Sequence, residues 1–215
     1  MRRIFAVVLG AASLLAFAMP AGATTQSGTS SVINVYWVTK VPLGSNSYQQ
    51  TTWYVGAYTD SQYGTSSDGY QEVDTCVFKD RRHVRCRQDS YMVGYTDLSR
   101  QGEYFNIDTQ NLDYANLRGL YGLQAYDSNG NPTGSPQWTV ITADVTGVGD
   151  VTQTTSKDIY HSGSCHSVST YTEKDRPFSA TGSENGTDLG TTKQGYFSVT
   201  SYTTVSHGCK YKKTG

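Results

Sequence analysis

The stretch VINVYWVTKV, residues 32–41, alternates between apolar and polar side chains and decides the fold class. Ile33, Val35 and Trp37 fall on one face of an extended chain, and the side chains between them fall on the other. An alternation with period two is typical of a strand that has one face in a core. The stretch therefore predicts a half-buried β-strand.

The same alternation recurs along the chain. In TTWYVGAY, residues 51–58, Trp53 and Val55 share one face, and Tyr54 and Tyr58 share the other. Turn-forming residues such as Asn185-Gly186 separate the alternating segments. Further strands are predicted at 70–78, 83–95, 103–108, 115–126, 137–146, 151–160, 165–172, 177–183 and 194–207. No segment has a sustained helical stripe, so the chain is predicted to be all-β.

The composition favours a particular all-β architecture. The chain has 17 Tyr and 22 Gly but only 16% charged residues, and Tyr favours pleated strands whereas Gly favours turns. Many short strands with frequent turns predict an antiparallel β-sandwich, Ig-like or jelly-roll-like. The alternative is two small tandem sandwich halves that meet near 127–136, because Trp53-x-Val55 and Trp138-x-Val140 each open a strand.

The first 23 residues have the pattern of a signal peptide. Two arginines precede the apolar run Ile4–Phe17, and Ala21-Gly22-Ala23 supplies a cleavage site near Ala23. We therefore expect a secreted, extracellular protein with no membrane anchor after processing. The expected organisation is a signal peptide at 1–23, a flexible mature N-terminus at 24–31, a β-sandwich at 32–209 and a basic C-terminal tail at 210–215.

The charge balance argues against a nucleic-acid partner. Without the two arginines of the signal peptide, 15 Lys and Arg stand against 18 Asp and Glu, which gives a net charge of −3. Such a chain has no global attraction for a polyanion. We accordingly expect no nucleic acid among its partners.

The four cysteines predict two disulfides, because an even number of cysteines in an exported chain favours bridges over free thiolates. A hairpin that pairs Cys76 with Cys86 also pairs Phe78 with Val84, and Cys165 would then pair with Cys209. Chain entropy gives the shorter loop about 3 kcal/mol of stabilisation and the longer one about 4 kcal/mol. Four cysteines still allow three connectivities.

Two motifs are weak candidates for metal binding. Near the second cysteine pair lie His161, His166 and His207. If Cys165 lies opposite Cys209, His166 and His207 point to opposite faces, so a transition-metal site would need an irregular backbone, and bystander histidines are favoured. No cofactor is expected.

The segment Asp127-x-Asn129-x-Asn131 resembles the start of a calcium loop, where alternate oxygens face the cation. It lacks the EF-hand glycine at its sixth position, where Pro132 stands, and the glutamate at its twelfth, where Trp138 stands. A simple Asn-Gly turn is therefore the favoured interpretation, with calcium as the weaker alternative.

Positive charge is concentrated in the segment 79–87, which we call the basic hairpin. It could attract cell-wall phosphates or an acidic protein, although a solvated hairpin is the commoner reason for such a cluster. The cationic residues are Lys79, Arg81, Arg82, Arg85 and Arg87.

Six tyrosines alternate with expected core positions and should face outward. Exposed aromatic rings can stack on the apolar faces of sugars, which makes these tyrosines candidate ligand-binding residues. The competing interpretation is ordinary cross-strand surface pairing. The six are Tyr54, Tyr58, Tyr91, Tyr95, Tyr196 and Tyr202; the tryptophans at 37, 53 and 138 are expected in the core.

These observations predict a secreted, disulfide-stabilised, non-catalytic binding or surface-interaction module, with a polysaccharide or cell-wall component as the favoured partner. No G-x-S-x-G nucleophile turn occurs, and the chain has only four glutamates to supply paired acids, so no catalytic residue is assigned. The alternatives are an extracellular hydrolase whose acid and base residues have no motif, and a protein-binding factor that uses the basic hairpin.

Overall fold

The computed structural model describes residues 24–80, 83–127 and 130–208. The predicted signal peptide at 1–23, the predicted basic tail at 210–215 and Cys209 lie outside these residues. Within the three described ranges we find no helix that is long and apolar enough to cross a membrane.

The prediction of an all-β protein is confirmed, because every regular element of the described residues is a strand. Residues 24–31, which were expected to be a flexible mature N-terminus, form the beginning of the first strand. The strands are β1 (Thr24–Gly44), β2 (Ser47–Asp60), β3 (Gly64–Asp80), β4 (His83–Thr96), β5 (Tyr104–Ile107), β6 (Tyr114–Tyr126), β7 (Pro132–Gly147), β8 (Thr152–Ser162), β9 (Cys165–Asp175), β10 (Phe178–Glu184), β11 (Thr187–Thr192) and β12 (Gln194–His207).

All of these strands belong to one antiparallel open sheet. Its order is β11-β10-β7-β6-β4-β3-β2-β1-β12-β9-β8, and the short β5 pairs with β6. The predicted internal boundary near 127–136 falls at the turn between β6 and β7, which pair with each other from Tyr114 opposite Thr146 to Tyr126 opposite Pro132. Hydrogen bonds thus connect the two proposed halves into a single sheet.

The sheet folds over so that strands far apart in its order share one core. Trp37 of β1 is 1% exposed, and its ring lies against Gly182 of β10. Phe178 of β10 meets Phe197 of β12 edge-on, with ring centroids 6.4 Å apart. The apolar face of β1 that the sequence alternation predicts is therefore buried against β10, near the other end of the strand order.

Apart from Leu112, the buried apolar side chains of the core come from six strands, namely β1, β2, β6, β7, β10 and β12. Burial of large apolar side chains supplies the main stabilising term of such a fold, at about 1.5–3 kcal/mol for each. Its largest fully buried side chains are Trp37, Tyr121, Phe197, Ile33, Leu112, Leu117, Leu123, Ile141, Val35, Val55 and Val145.

Candidate functional site

The opposite face of β1–β4 and β12 points away from the core, and we call it the outer face. Buried residues of β1, such as Val35 and Trp37, alternate with residues that belong to this face, such as Asn34 and Tyr36. The strand register places all six predicted tyrosines there. Their cross-strand partners are Tyr36 for Tyr54, Val32 for Tyr58, Glu72 for Tyr91, Asp68 for Tyr95, Asn34 for Tyr196 and Gly28 for Tyr202.

Four tyrosines cross the outer face in a continuous tyrosine row, made of Tyr36, Tyr54, Tyr70 and Tyr91. Ring centroids are 4.8 Å apart for Tyr36 and Tyr54, 4.9 Å for Tyr54 and Tyr70, and 5.6 Å for Tyr70 and Tyr91. Of these four, only Tyr54 and Tyr91 were predicted from the sequence, because the cross-strand register that brings Tyr36 and Tyr70 beside them is a long-range property.

The tyrosine row is a packed surface whose rings cover one another. The rings of Tyr54 and Tyr70 are stacked with an interplanar angle of 19°. Burial is the main cause that raises the pKa of both phenols above the usual range, followed by nearby charge and neighbouring tyrosines. The row therefore supports the outer face with half-buried, neutral rings.

A polar strip borders the tyrosine row. The Tyr54 hydroxyl donates a hydrogen bond to Asn34 Oδ1 at 2.8 Å. Beneath it lies Gly56, where a Cβ atom would stand 2.7 Å from Asp68 Oδ1, so only glycine leaves room for the two polar groups. Burial raises the pKa of the Asp68 carboxyl above its usual range.

Where β4 meets β6, the outer surface forms a shallow cleft of about 400 Å³, which we call the Tyr95–Trp138 cleft. Tyr95 is 76% exposed and Trp138 is 59% exposed. Asp97, Arg100 and Leu120 line the cleft between them. Two strongly exposed aromatic side chains thus border one concavity.

The expectation that Trp138 lies in the core is wrong. Thr139, the next residue of β7, is the one that points inward and is buried, whereas Trp138 lies over Gly122 of β6 on the outside. The missing side chain of Gly122 gives the indole its place: a Cβ there would stand 3.3 Å from the ring. Trp37 and Trp53 are buried as expected.

The loop that carries Arg100 is held in place by Glu103. The Glu103 carboxylate accepts hydrogen bonds from Leu120 N at 2.8 Å and Arg100 N at 2.9 Å. The Arg100 guanidinium carbon in turn lies 4.8 Å from the centroid of the Trp138 ring, within the range of a cation–π contact. The cleft therefore combines aromatic surface with fixed hydrogen-bonding groups.

The carboxylates of this cleft are ionised. Burial of Glu103 opposes ionisation, but the hydrogen bonds from Leu120 and Arg100 outweigh it and hold its pKa below the usual range. Hydrogen bonds from Ser99 lower the pKa of Asp97. A general acid needs a raised pKa instead, so these two groups give no support to the hydrolase alternative.

A second shallow cleft, of about 380 Å³, lies beside Arg176 and Tyr196. Arg176 donates hydrogen bonds to Gly149 O at 2.9 Å and to Asn111 O at 3.0 Å, and it forms an ion pair with Asp113. Through these contacts the Arg176 guanidinium joins two loops to the segment before β10. The side chain therefore stabilises the structure.

The disulfide between Cys76 and Cys86 is confirmed. The predicted hairpin register is confirmed with it, since Cys76 lies opposite Cys86 and Phe78 opposite Val84. Cys165 is disulfide-bonded as well, and its predicted partner, Cys209, lies outside the described residues. The local pairing could be read from sequence because the ten-residue spacing closes a hairpin.

The basic hairpin ends the long β3–β4 ladder. Lys79, Arg85 and Arg87 are exposed, and Arg87 pairs with Asp89 at 2.9 Å; Arg81 and Arg82 lie outside the described residues. The neighbouring turn of β1 and β2 extends in the same direction, because Ser47 pairs with Val77. Exposed apolar side chains surround the charges: Val41, Leu43, Val77, Phe78 and Val84.

The predicted separation of the histidines is wrong. His166 lies directly opposite His161 on one side and His207 on the other, so the three side chains share one face. The expectation assumed that Cys165 lies opposite Cys209. The observed register is offset by one residue, and a shift of one residue moves a side chain to the other face.

Two residues of the candidate calcium loop, Asp127 and Asn131, are joined by hydrogen bonds. Asn131 donates two hydrogen bonds to the Asp127 carboxylate, from its backbone N at 2.9 Å and its amide at 3.2 Å. Asn129 lies outside the described residues, so calcium binding stays a prediction. Across 24–80, 83–127 and 130–208, no group of three His, Cys, Asp or Glu side chains already surrounds a common point that could hold a metal ion.

Similarity to other proteins does not assign a function. Comparison with models of protein families, with curated proteins and with solved structures finds no match to this chain. The function is therefore inferred from the geometry of the molecule. The most exposed aromatic side chains among the described residues are Tyr95 and Trp138, and both border the cleft.

Proposed function

We propose that this protein is an exported, non-catalytic module that binds polysaccharide through its outer face, with the Tyr95–Trp138 cleft as the main contact. The observation that carries the proposal is the exposure of Tyr95 and Trp138 beside one shallow cleft. Exposed aromatic side chains are enriched at recognition sites, where they supply large contact area.

The chemistry of the cleft suits a sugar. The Tyr95 ring offers an apolar plane to the C–H face of a pyranose, and the Trp138 indole, over which Arg100 lies, extends the apolar wall. Arg100 and Asp97 supply planar donor and acceptor groups for hydroxyls. A mixture of apolar walls and a few polar groups is typical of small-molecule sites. A neutral polysaccharide fits best, because Asp97 and Glu103 set two negative charges against the one positive charge of Arg100.

The tyrosine row has a supporting role in this proposal. Since the rings of Tyr54 and Tyr70 stack on each other, their faces are not free to stack on a sugar. Tyr95 and Tyr196 are more exposed and are better contacts. We therefore expect the bound polysaccharide to cross the outer face above the tyrosine row and to contact the phenol hydroxyls of that row.

The sandwich architecture also belongs to the proposal. The folded-over sheet brings β10 against β1 and β12, as the contact between Trp37 and Gly182 indicates. We infer that the two parts act as the layers of an antiparallel β-sandwich. Such a scaffold presents a rigid, open outer face, which suits an extended ligand.

The experiment is a pull-down of the mature protein on insoluble cellulose, chitin, xylan and purified cell wall, at low and high salt. We expect retention that resists salt and that a soluble sugar releases. Tyr95→Ala should weaken retention by about tenfold, the loss that about 1.4 kcal/mol corresponds to. The control is Tyr160→Ala, an exposed tyrosine on β8.

Two outcomes would contradict the proposal. One is the absence of retention on every polysaccharide at either salt concentration. The other is equal retention of Tyr95→Ala and the original protein, which would place the contact elsewhere. Loss of retention in Tyr160→Ala alone would likewise move the site away from the cleft.

A second candidate function is favoured by the end of the β3–β4 ladder. Exposed Val77, Phe78 and Val84 stand among the positive charges of Lys79 and Arg85. Clustered exposed apolar residues mark interaction sites, so an acidic protein is the alternative partner. The same pull-down separates the two functions, because retention through these charges falls as salt rises through the physiological range.

A further inference from the structure

Three of the four histidines of the chain lie side by side on adjacent strands. We call His161 of β8, His166 of β9 and His207 of β12 the histidine row. Ring centroids are 4.3 Å apart for His161 and His166 and 6.4 Å apart for His166 and His207. The row concentrates the imidazoles of the protein in one place.

The spacing of the row is within reach of one metal ion. Directly opposed residues of neighbouring strands have Cβ atoms about 4.5–5.5 Å apart, and zinc binds imidazole nitrogen at about 2.0–2.1 Å. The rings now stack nearly parallel, at interplanar angles of 25° and 17°. His161 and His207 are exposed and His166 is half-buried, so rotation of the two outer side chains would turn their nitrogens toward His166.

The end of the sheet that carries the row is braced. Cys165, next to His166, is disulfide-bonded. Ser164 Oγ donates a hydrogen bond to Gly208 O at 3.2 Å, across the same strand ends. A fixed backbone lowers the ordering cost of bringing several ligands onto one ion.

The imidazole ligands of the histidine row favour a transition metal. Ile159, Val168 and Val205 occupy the next positions toward the body of the sheet on the same face. Imidazole nitrogen suits zinc, copper and nickel, whereas magnesium and calcium require oxygen ligands. Ile159 is 58% exposed, so a metal ion can reach the row from solvent.

We propose that the histidine row binds one divalent transition-metal ion, with His166 as the central ligand and His161 and His207 on either side. Zinc is the reference ion. The site lies on the strands at the β8 edge of the sheet and is independent of the proposed polysaccharide site.

The test is a calorimetric titration of the mature, disulfide-intact protein with zinc chloride, with magnesium chloride in a parallel titration. We expect saturable binding of one zinc and no magnesium binding. His166→Gln and, separately, His161→Gln should each weaken zinc binding at least about tenfold, because each removes a direct ligand. The matched control is His83→Gln, which removes the fourth histidine and should leave zinc binding unchanged.

Circular dichroism of each variant verifies that it folds, and the two ligand variants test the site separately. The proposal is overturned if zinc gives no saturable binding to the original protein. It is also overturned if both ligand variants bind zinc as tightly as the original, or if His83→Gln weakens binding as much as they do.

Discussion

At the scale of single residues, Gly182 decides how closely the folded-over sheet can pack. A Cβ atom there would stand 2.8 Å from the carbonyl oxygen of Thr142 and would overlap the buried ring of Trp37. Neither neighbour can move easily, since one is backbone and the other fills the core. We expect Gly182→Ala to lower the free energy of unfolding by about 1–3 kcal/mol, the usual cost of overpacking. Urea denaturation followed by fluorescence measures this.

Gly44→Ala is the matched control for this substitution. The nearest atom to a Cβ at Gly44 is Ser47 Oγ at 3.8 Å, an ordinary van der Waals distance. This variant should stay within about 0.5 kcal/mol of the original protein. Equal stability of both variants would show that the sheet does not close over Gly182.

Trp138 shows why residue positions on a surface are hard to read from sequence. Its aliphatic neighbours Val140 and Ile141 suggested a core position, yet the inward face of β7 begins at Thr139. Because Thr139 is a polar residue on the buried face, the apolar side chains alone did not show which face of β7 is buried. The pairing of Trp138 with Gly122, which makes room for the indole, depends on the β6–β7 register and has no local signal.

At the scale of elements, the disulfide between Cys76 and Cys86 holds the β3–β4 ladder beyond the core. The chain-entropy model gives its loop about 3 kcal/mol. In a Cys76→Ser, Cys86→Ser double variant we expect amide hydrogen exchange at 74–80 and 83–90 to accelerate most. Hydrogen-exchange mass spectrometry provides the measurement, because regions can open locally with free energies below the global value.

The internal control is the segment 115–123 of β6, which carries buried core residues. Its exchange should accelerate less than that of the ladder. Equal acceleration in both segments would mean that the bridge stabilises the whole domain and has no local role. An unchanged ladder would mean that its hydrogen bonds hold without the disulfide.

Most strands could be predicted from sequence because their signals are local. The predicted segments at 83–95 and 115–126 match β4 and β6 to within one residue, and the predicted segment at 70–78 lies inside the longer β3. β11 was missed, since TDLGTT has neither a clear alternation nor an aliphatic run. The histidine register failed for another reason: pairing of β9 with β12 joins residues about 40 positions apart, and only the ladder itself reveals an offset of one residue.

At the scale of the whole molecule, the order of strands could not be predicted. The sequence correctly indicated an antiparallel all-β protein, but β4 connects to β6 through only two residue pairs, Met92 with Ala125 and Val93 with Gln124. That narrow connection joins the strands into one sheet by hydrogen bonding, while β10 packs against β1 and β12. The Tyr95–Trp138 cleft lies at this connection between β4 and β6.

Of the three tryptophans, Trp37 and Trp53 are buried, and Trp138 is exposed to a ligand. The most direct test of the proposed function is therefore a fluorescence titration of the mature protein with soluble oligomers of cellulose, chitin and xylan. We expect a saturable change in tryptophan emission with at least one of them, and no such change in Trp138→Phe. No saturable change with any oligomer, or the same change in Trp138→Phe, would contradict sugar binding at the cleft.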